Sequence, residues 1–202
     1  MDGVLVFSEE AWFAVYNDTL RLFGYPPISR EAFDAIYGNG TEADRDTYMP
    51  RQTVEEVNAA YGRFFPGHLD LVKENPEARP LLEELRRRNV LTAVATNTQH
   101  RLAGEILSLV GLTPYFDAVA CADEAGAGKP DPAVVRLAAS RAGAELDECL
   151  FVGDSRYDRE AAERAPVRFV PYRMPGGLTE LAGLLPLLPG GVPRAERGRP
   201  AG

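Results

Sequence analysis

The sequence predicts an α/β fold in which a doubly wound, Rossmann-like parallel sheet carries an inserted all-helical cap. Two features of the 202-residue chain predict it. From Glu9 to about Phe65, apolar side chains recur at helical spacing, and no strand pattern interrupts them. After Pro66, short apolar runs alternate with amphipathic segments. Strands and helices that alternate in this way require a parallel sheet covered by helices on both faces.

The cap is predicted to comprise residues 9–66. Ser29 is expected to cap one of its helices, and Thr53 with Glu56 has the spacing of a capping box at the start of another. The first helix presents an apolar face that is typical of core packing. Its members include Trp12, Val15, Tyr16 and Leu20.

The core domain is predicted to comprise residues 1–8 and 67–189. Its predicted strands are, in chain order, Val90–Ala95, Ala118–Ala120, Cys149–Val152 and Arg168–Val170. Asn97 or Thr98 is expected to cap the helix that follows the first of these strands, and Asp131 the helix that follows the second.

The end of the chain is predicted to contain a last helix near residues 178–187. Residues 190–202 are rich in Gly, Pro and Arg. Because this segment has too little apolar content to pack, we expect it to be disordered.

The composition is that of a globular protein, with 45% apolar residues, 26% charged residues and a formal net charge of −8. Apolar stretches such as 102–112 are shorter than the roughly 20 residues that a bilayer span needs, so we expect no membrane contact. The N-terminus has no basic leader, which favours a cytoplasmic location. The acidic balance argues against nucleic-acid binding. We expect a monomer or weak dimer, with Cys121 and Cys149 as ordinary thiols.

Polar side chains follow three of the predicted strands at the point where each ends. Thr96 and Asn97 follow the first, Lys129 lies in the loop after the second, and Asp154 and Asp158 follow the third. Ligands of doubly wound sheets bind beyond the carboxyl ends of the strands, so these groups are expected to converge.

The loop lysine is unusual for this chain. Only Lys73 and Lys129 are lysines among its 22 basic residues. A default surface cation would therefore be arginine, and Lys129 indicates a place where a compact ammonium is needed.

These residues occur in an ordered set of motifs that resembles the haloacid dehalogenase-like hydrolase superfamily, in its phosphoglycolate phosphatase and β-phosphoglucomutase-like branch. The motifs are Asp2-Gly3-Val4-Leu5, Thr96-Asn97, Gly128-Lys129-Pro130 and Gly153-Asp154-Ser155-Arg156-Tyr157-Asp158. The resemblance extends from residue 1 to about residue 187 and includes a helical cap inserted after the first motif.

The first motif of that family reads Asp-x-Asp-Gly, and Gly3 sets its register on this chain. Asp2 then matches the second aspartate, Met1 matches the variable position, and the nucleophilic aspartate would lie one residue before Met1. The resemblance thus implies that the central first strand is largely missing and that the chain as written is inactive.

The resemblance also implies a role for each residue. Asp2 would be the general acid and base, Thr96 would bind the phosphoryl group with the help of the Asn97 backbone, and Lys129 would neutralise charge. Mg²⁺ would be held by the Asp2 carbonyl and Asp154, with Asp158 as a direct or supporting ligand.

The cap loop is the expected source of substrate specificity. Gly38, Asn39, Gly40 and Thr41, followed by Arg45, offer flexible backbone and a fork of donors for an anionic or hydroxylated group. A helix-ending turn with solvated arginines explains the same residues equally well, and both readings stay open.

The function that these roles imply is a Mg²⁺-dependent phosphatase acting on a small phosphorylated metabolite. A phosphomutase of the same superfamily would use the same core residues. A dehalogenase is disfavoured because Asp2 is present, and a phosphonate hydrolase because Lys73 lies outside the cap. A non-catalytic relative that binds phosphometabolites or a protein is the alternative from another class.

Overall fold

Helices make up the cap, as the sequence predicts. The computed structural model describes residues 1–188, so the predicted disordered tail, 190–202, lies outside the described residues. A short strand β1 (Val6–Phe7) leads into α1 (Glu9–Leu22), α2 (Arg30–Asp34), α3 (Thr41–Tyr48), α4 (Val54–Phe64) and a 3₁₀ turn (Phe65–Leu71). The Ser29 hydroxyl accepts the Ala32 N–H, and Thr53 and Glu56 form the predicted capping box.

Aromatic rings fill the interior of the cap. Tyr16 of α1 packs edge-on against Phe33 of α2 and against Tyr48 of α3, and it also lies against Tyr61 of α4. Tyr16, Phe33 and Tyr61 are all buried. Because aromatic pairs add specific geometry to their apolar area, this cluster fixes the cap helices to one another.

The core domain alternates strands with helices. Its elements are β2 (Lys73–Glu74), α5 (Ala78–Arg87), β3 (Ala93–Thr96), α6 (His100–Leu109), β4 (Ala118–Cys121), α7 (Ala122–Ala125), α8 (Ala133–Ala142), β5 (Leu150–Gly153), α9 (Arg156–Arg164) and β6 (Arg168–Pro171). The predicted α/β class is confirmed. The antiparallel pair of β1 with β2 was not predicted, because strands of two residues are too short to show a period.

The core strands pair in parallel as β3 with β4 and as β5 with β6. Within residues 1–188, no strand hydrogen-bonds to both pairs. Both pairs nevertheless pack on one apolar cluster, which contains Val94 of β3 and Val170 of β6, with Met1 against it. This arrangement fits the predicted doubly wound sheet.

Three helix boundaries differ from the prediction. Neither Asn97 nor Thr98 is the cap of α6, which begins at His100 after Gln99. The carboxylate of Asp123, in α7, accepts the His100 N–H at 3.1 and 3.2 Å and so satisfies this helix start from another element.

The last predicted helix is a 3₁₀ helix over Leu181–Leu187 rather than an α-helix from Leu178. Pro186 lies inside it and has no N–H to donate, which disfavours an α-helix there. The prediction that Asp131 caps α8 is wrong, because α8 begins at Ala133 and Pro132 occupies the cap position. The Asp131 carboxylate nevertheless accepts the N–H of Ala133 at 2.8 Å from one residue further back. No helix within residues 1–188 is long and apolar enough to span a membrane.

Candidate active site

A cavity between the strand ends of the core and the cap contains the predicted core residues. Its cavity volume is about 130 Å³. Its wall on the core side includes Asp2, Thr96, Asn97, Lys129, Asp154 and Asp158. Residues up to 156 positions apart in sequence therefore meet where β3 and β5 end, as the doubly wound topology predicts.

Lys129 and Asp158 form a nearly buried ion pair in this cavity. The Lys129 Nζ lies 2.7 Å from Asp158 Oδ1 and 3.2 Å from the Ala95 carbonyl oxygen. The other carboxylate oxygen accepts the N–H and hydroxyl of Ser155. Burial acts to raise the pKa of Asp158. The Lys129 ammonium and the Ser155 hydroxyl lower it by more than burial raises it, so the pKa is lowered overall. Asp158 is thus held ionised beside the ammonium.

The Asn97 side chain holds the backbone of Lys129. Its Oδ1 accepts the Lys129 N–H at 2.7 Å, and its Nδ2 donates to the Lys129 carbonyl oxygen at 3.0 Å. A Cβ on Gly128 would lie 3.0 Å from Asn97 Oδ1, so glycine leaves room for this clamp. The sequence predicts Asn97 as a phosphate-binding residue through its backbone but gives no sign of this positioning contact.

Three side chains hold the Asp2 carboxylate. Thr98 donates its hydroxyl to Oδ2 at 2.9 Å, while the Ser8 hydroxyl and the Trp12 indole N–H both donate to Oδ1. Sequence reasoning missed all three as partners of Asp2. Trp12 lies on an apolar helix face and Thr98 is 96 residues away, so neither pattern nor proximity in sequence could identify them.

Thr96 is placed as predicted, at the end of β3 and facing the cavity. The side chain is buried, and its Oγ1 accepts the Thr98 N–H at 3.2 Å. The hydroxyl proton stays available to a ligand, because a hydroxyl both donates and accepts.

Asp154 lies against the backbone of Gly3. A Cβ on Gly3 would fall 1.8 Å from Asp154 Oδ2, and Gly3 also has a φ of +71°, so both space and conformation require glycine. Burial raises the pKa of Asp154, the Met1 α-ammonium lowers it, and the Asp158 charge raises it again. The net effect is a pKa of about 6. No side chain among residues 1–188 is recorded as a hydrogen-bond donor to Asp154.

The α-amino group of Met1 lies among these charges. Burial and then the Lys129 ammonium lower its pKa, while Asp2, Asp158 and Asp154 act to raise it. The backbone at Met1 therefore runs through the centre of the site.

The cap loop contributes only part of its predicted set. Gly38, Gly40 and Thr41 line the cavity. Asn39 instead accepts a hydrogen bond from Tyr157 of α9, and the Arg45 Nε lies 2.8 Å from Asp46 Oδ1. Arg45 is thus engaged by its own neighbour in sequence. Seven cap side chains line the cavity although sequence reasoning missed them, and they are Trp12, Tyr16, Phe33, Ile36, Tyr37, Asp44 and Tyr61.

A second cluster of metal-type side chains is made of residues that do not line the cavity. The ligand atoms of His100, Cys121 and Glu124 lie within 4.8 Å of one another. Glu124 is already paired with Arg141 through both carboxylate oxygens, and burial raises the pKa of the Cys121 thiol to about 12. This cluster is accounted for as an ion pair beside a neutral thiol.

Comparisons with known proteins identify the family of this chain. The sequence profile of the haloacid dehalogenase-like hydrolases matches residues 1–171. The chain belongs to this family. Among solved structures, a haloacid dehalogenase-superfamily hydrolase of subfamily IA from Geobacter sulfurreducens is 29% identical, with a TM-score of 0.75 over 93% of this chain and 95% of that one.

Curated relatives of this haloacid dehalogenase-like hydrolase carry phosphatase names. Phosphoglycolate phosphatase 1 of Pseudomonas aeruginosa is 32% identical over 83% of this chain, and the chain spans 65% of the length of that relative. The phosphorylated carbohydrates phosphatase of Thermotoga maritima is 29% identical over 83% of this chain and 79% of its own length. The resemblance drawn from the motifs is confirmed at the level of the family and of its phosphoglycolate phosphatase-like branch.

Proposed function

We propose that this hydrolase is a Mg²⁺-dependent phosphatase that releases phosphate from a small phosphorylated metabolite. The observation that supports it most is the convergence of one ammonium, Lys129, with the carboxylates of Asp2, Asp154 and Asp158 at one cavity. A cation beside carboxylates suits a phosphoryl group that is bound together with a divalent metal. The phosphatase names of the curated relatives support the same class of reaction.

The donor set at the cavity fits Mg²⁺. The candidate ligands are the Asp154 carboxylate and the Asp2 carbonyl oxygen, and oxygen donors are those that Mg²⁺ prefers. Asp154 has a raised pKa and no recorded side-chain donor, so its carboxylate gains from a bound cation. Asp158 uses both oxygens on Lys129 and Ser155, which favours a supporting role for it. When bound, Mg²⁺ supplies charge neutralisation for the phosphoryl oxygens.

The protein's own groups divide the remaining work. Lys129 offsets negative charge on the phosphoryl group, and the Thr96 hydroxyl donates to one of its oxygens. Asp2, oriented by Thr98, Ser8 and Trp12, gives a proton to the leaving oxygen and later takes one from water. These donors fix the direction of the carboxylate before substrate arrives.

We further propose that the nucleophile is an aspartate directly before Met1. The position of the Met1 α-amino group among Lys129, Asp154 and Asp158 supports this, because a preceding residue would be attached there. Its carboxylate oxygen would bond to phosphorus as the ester oxygen leaves with the proton from Asp2. Water, losing a proton to Asp2, would then break the acyl phosphate and release inorganic phosphate. A chain that starts at Met1 is then expected to be inactive.

The test compares two chains that differ in one group. One carries Asp directly before Met1 and the other carries Asn, within the same upstream extension. Hydrolysis of 4-nitrophenyl phosphate with Mg²⁺ is expected from the Asp form alone. Equal rates from the two forms would overturn the assignment of the nucleophile. Tight phosphate binding without turnover in either form would favour the non-catalytic relative.

A phosphomutase is the second candidate, and contacts between the cap and the core beside the cavity favour it. Gln99 donates to Asn58 of the cap, and Arg101 donates to the Gly62 carbonyl oxygen at 2.9 Å. A closed cap excludes water, which lets a sugar hydroxyl accept the phosphoryl group. Given a hexose phosphate and a bisphosphate activator, a phosphatase yields mainly free phosphate, whereas a mutase yields isomerised sugar phosphate.

A further inference from the structure

The two ends of the cavity differ in the cations that they offer. The core end holds the Lys129 ammonium beside the carboxylates of Asp2, Asp154 and Asp158. On the cap wall, Asp44 is the charged side chain among the described residues that line the cavity. Arg45, the cation that the sequence offers here, lies with its Nε 2.8 Å from Asp46 and a terminal nitrogen 4.0 Å from Glu42. The cap therefore presents a carboxylate to the substrate where a guanidinium was expected.

Asp44 retains unused capacity to accept hydrogen bonds. Its Oδ2 accepts the Tyr61 hydroxyl at 2.9 Å, and no second side-chain donor to it is recorded among residues 1–188. An ionised carboxylate has about four acceptor positions. A ligand that donates hydrogen bonds would fill positions that the protein leaves open.

The Tyr16 hydroxyl is a buried donor that has no recorded partner. Tyr16 is 3% exposed, lines the cavity, and its hydroxyl finds no hydrogen-bond partner within residues 1–188. Burial and then the charge of Asp44 raise its pKa above the usual value, so it keeps its proton. Buried polar groups without partners are rare, and at a cavity wall they indicate a position that a ligand completes.

We propose, on the basis of the phosphatase function above, that Tyr16, Asp44 and Tyr61 bind the hydroxyl groups of a neutral sugar or polyol and select against a second anionic group on the substrate. A substrate hydroxyl donates to Asp44 and accepts from Tyr16, which satisfies both side chains at once. A carboxylate cannot donate, and it would lie near the Asp44 charge, with no cation on the cap wall among the described residues that line the cavity.

Aromatic rings complete the same wall. Trp12 packs edge-on against Tyr61, with ring centroids 5.7 Å apart, and both line the cavity. Pockets that combine apolar rings with a few fixed polar groups are typical of small-molecule recognition. The carbon skeleton of a sugar or polyol suits such a surface, and its hydroxyls suit Tyr16 and Asp44.

The proposal distinguishes between the names of the relatives. The Pseudomonas aeruginosa protein is named for phosphoglycolate, whose organic part is a carboxylate, and the Thermotoga maritima protein is named for phosphorylated carbohydrates. The cap wall of this chain favours the second kind of substrate.

The test uses two ligands that differ at one carbon. Glucitol 6-phosphate ends in a hydroxymethyl group, whereas 6-phosphogluconate ends in a carboxylate. Their affinities and that of inorganic phosphate are measured by titration calorimetry on the full 202-residue chain with Mg²⁺ at mildly alkaline pH. We expect glucitol 6-phosphate to bind about tenfold tighter than 6-phosphogluconate, the ratio that one well-placed polar interaction gives.

Matched variants assign the effect to side chains. Tyr16→Phe is expected to weaken glucitol 6-phosphate binding about fivefold to tenfold without changing the affinity for inorganic phosphate. Tyr48→Phe, on the ring packed against Tyr16, is the control and is expected to leave both affinities unchanged. Asp44→Asn is expected to remove most of the preference, whereas Glu31→Gln, on an exposed residue of the cap helix α2, is expected to preserve it.

The other outcomes of these titrations would contradict either the proposed substrate class or the phosphatase proposal. Equal affinity for the two ligands, with inorganic phosphate still bound, overturns the substrate class and leaves the phosphatase proposal standing. Equal losses in Tyr16→Phe and Tyr48→Phe also overturn it. If inorganic phosphate does not bind, or binds equally well after Lys129→Met, the phosphatase proposal fails and this inference fails with it.

Discussion

The Gln99 side chain reaches from the start of α6 to Asn58 in α4, and its Nε2 lies 3.1 Å from the Asn58 carbonyl oxygen and 3.0 Å from Asn58 Oδ1. Asn58 also accepts the hydroxyl of Thr41, which lines the cavity. Gln99 of the core thus holds the cap in place through Asn58, which also fixes Thr41 in the cavity wall. Gln99 is free to do so because Asp123 satisfies the start of α6.

Loss of this contact is expected to loosen closure. Gln99→Ala removes both hydrogen bonds, so substrate should bind more weakly, with KM raised about threefold to tenfold. The measurement is steady-state hydrolysis by the chain that carries Asp before Met1. Ser108→Ala, on an exposed residue of the same helix, is the control. An unchanged KM in Gln99→Ala would show that the contact does not contribute to closure.

Metal binding is predicted to depend on Asp154. Mg²⁺ is expected to raise the melting temperature of the unaltered chain, because a ligand that binds the folded state stabilises it. In Asp154→Asn this rise should be lost, and in the chain that carries Asp before Met1 the same substitution should abolish Mg²⁺-dependent turnover. Asp147→Asn, on an exposed residue before β5, should retain both. A melting shift that persists in Asp154→Asn would remove Asp154 from the metal site.

Proton transfer is predicted to depend on Asp2. In the chain that carries Asp before Met1, Asp2→Asn is expected to reduce turnover of an alkyl phosphate by about 10² to 10⁴, the usual range for a positioned acid and base. The loss should be smaller for 4-nitrophenyl phosphate, whose leaving group needs less protonation. Equal losses on the two substrates would contradict the role of Asp2 as general acid.

The stability of the fold is predicted to depend on pH through Asp44. Burial raises its pKa to about 7, from a usual value near 4, so between these values the folded chain keeps a proton that the unfolded chain releases. The free energy of unfolding therefore falls as pH rises through this window. At pH values above neutral, Asp44→Asn is expected to raise the melting temperature by at least about 3 °C, which is the shift that 1 kcal/mol gives in a chain of this size. Near pH 4 we expect little change in the melting temperature.

The control for that experiment is Asp46→Asn, since Asp46 is exposed. It should leave the melting temperature unchanged across the same pH range. A gain in Asp44→Asn that is equally large at both ends of the range would show that Asp44 is not the titrating group.

The sequence predicts the core side of the site well and the cap side poorly. Thr96, Lys129 and Asp154 each follow an apolar strand, and parallel strands end at one edge of a sheet, so topology alone brings them together. The cap offers no comparable rule. Tyr16 lies on an apolar helix face and reads as a core side chain, and Asp44 lies in a helix so rich in charged residues that it reads as solvated.

The contacts that orient the site residues also cannot be predicted from the sequence. Asn97 holds Lys129 from 32 residues away, and Thr98 holds Asp2 from 96 residues away. Such pairs are fixed by the packing of the finished fold and leave no periodic signal.

The predicted domain boundaries, cytoplasmic location and monomeric or weakly dimeric state stay predictions.

The last prediction concerns the close approach of Gly3 to Asp154. Gly3→Ala adds a Cβ that would fall 1.8 Å from Asp154 Oδ2, so the carboxylate must move away from the metal position. It also places alanine at a φ of +71°, which destabilises any non-glycine residue. Gly24→Ala separates the two effects, because Gly24 has a φ of +75° and a Cβ there would meet nothing within 4 Å. Both variants are expected to lose about 1 kcal/mol of stability through backbone strain. Only Gly3→Ala is expected to lose the Mg²⁺-dependent rise in melting temperature. A normal rise in that variant would show that Asp154 can bind Mg²⁺ without its close contact with Gly3.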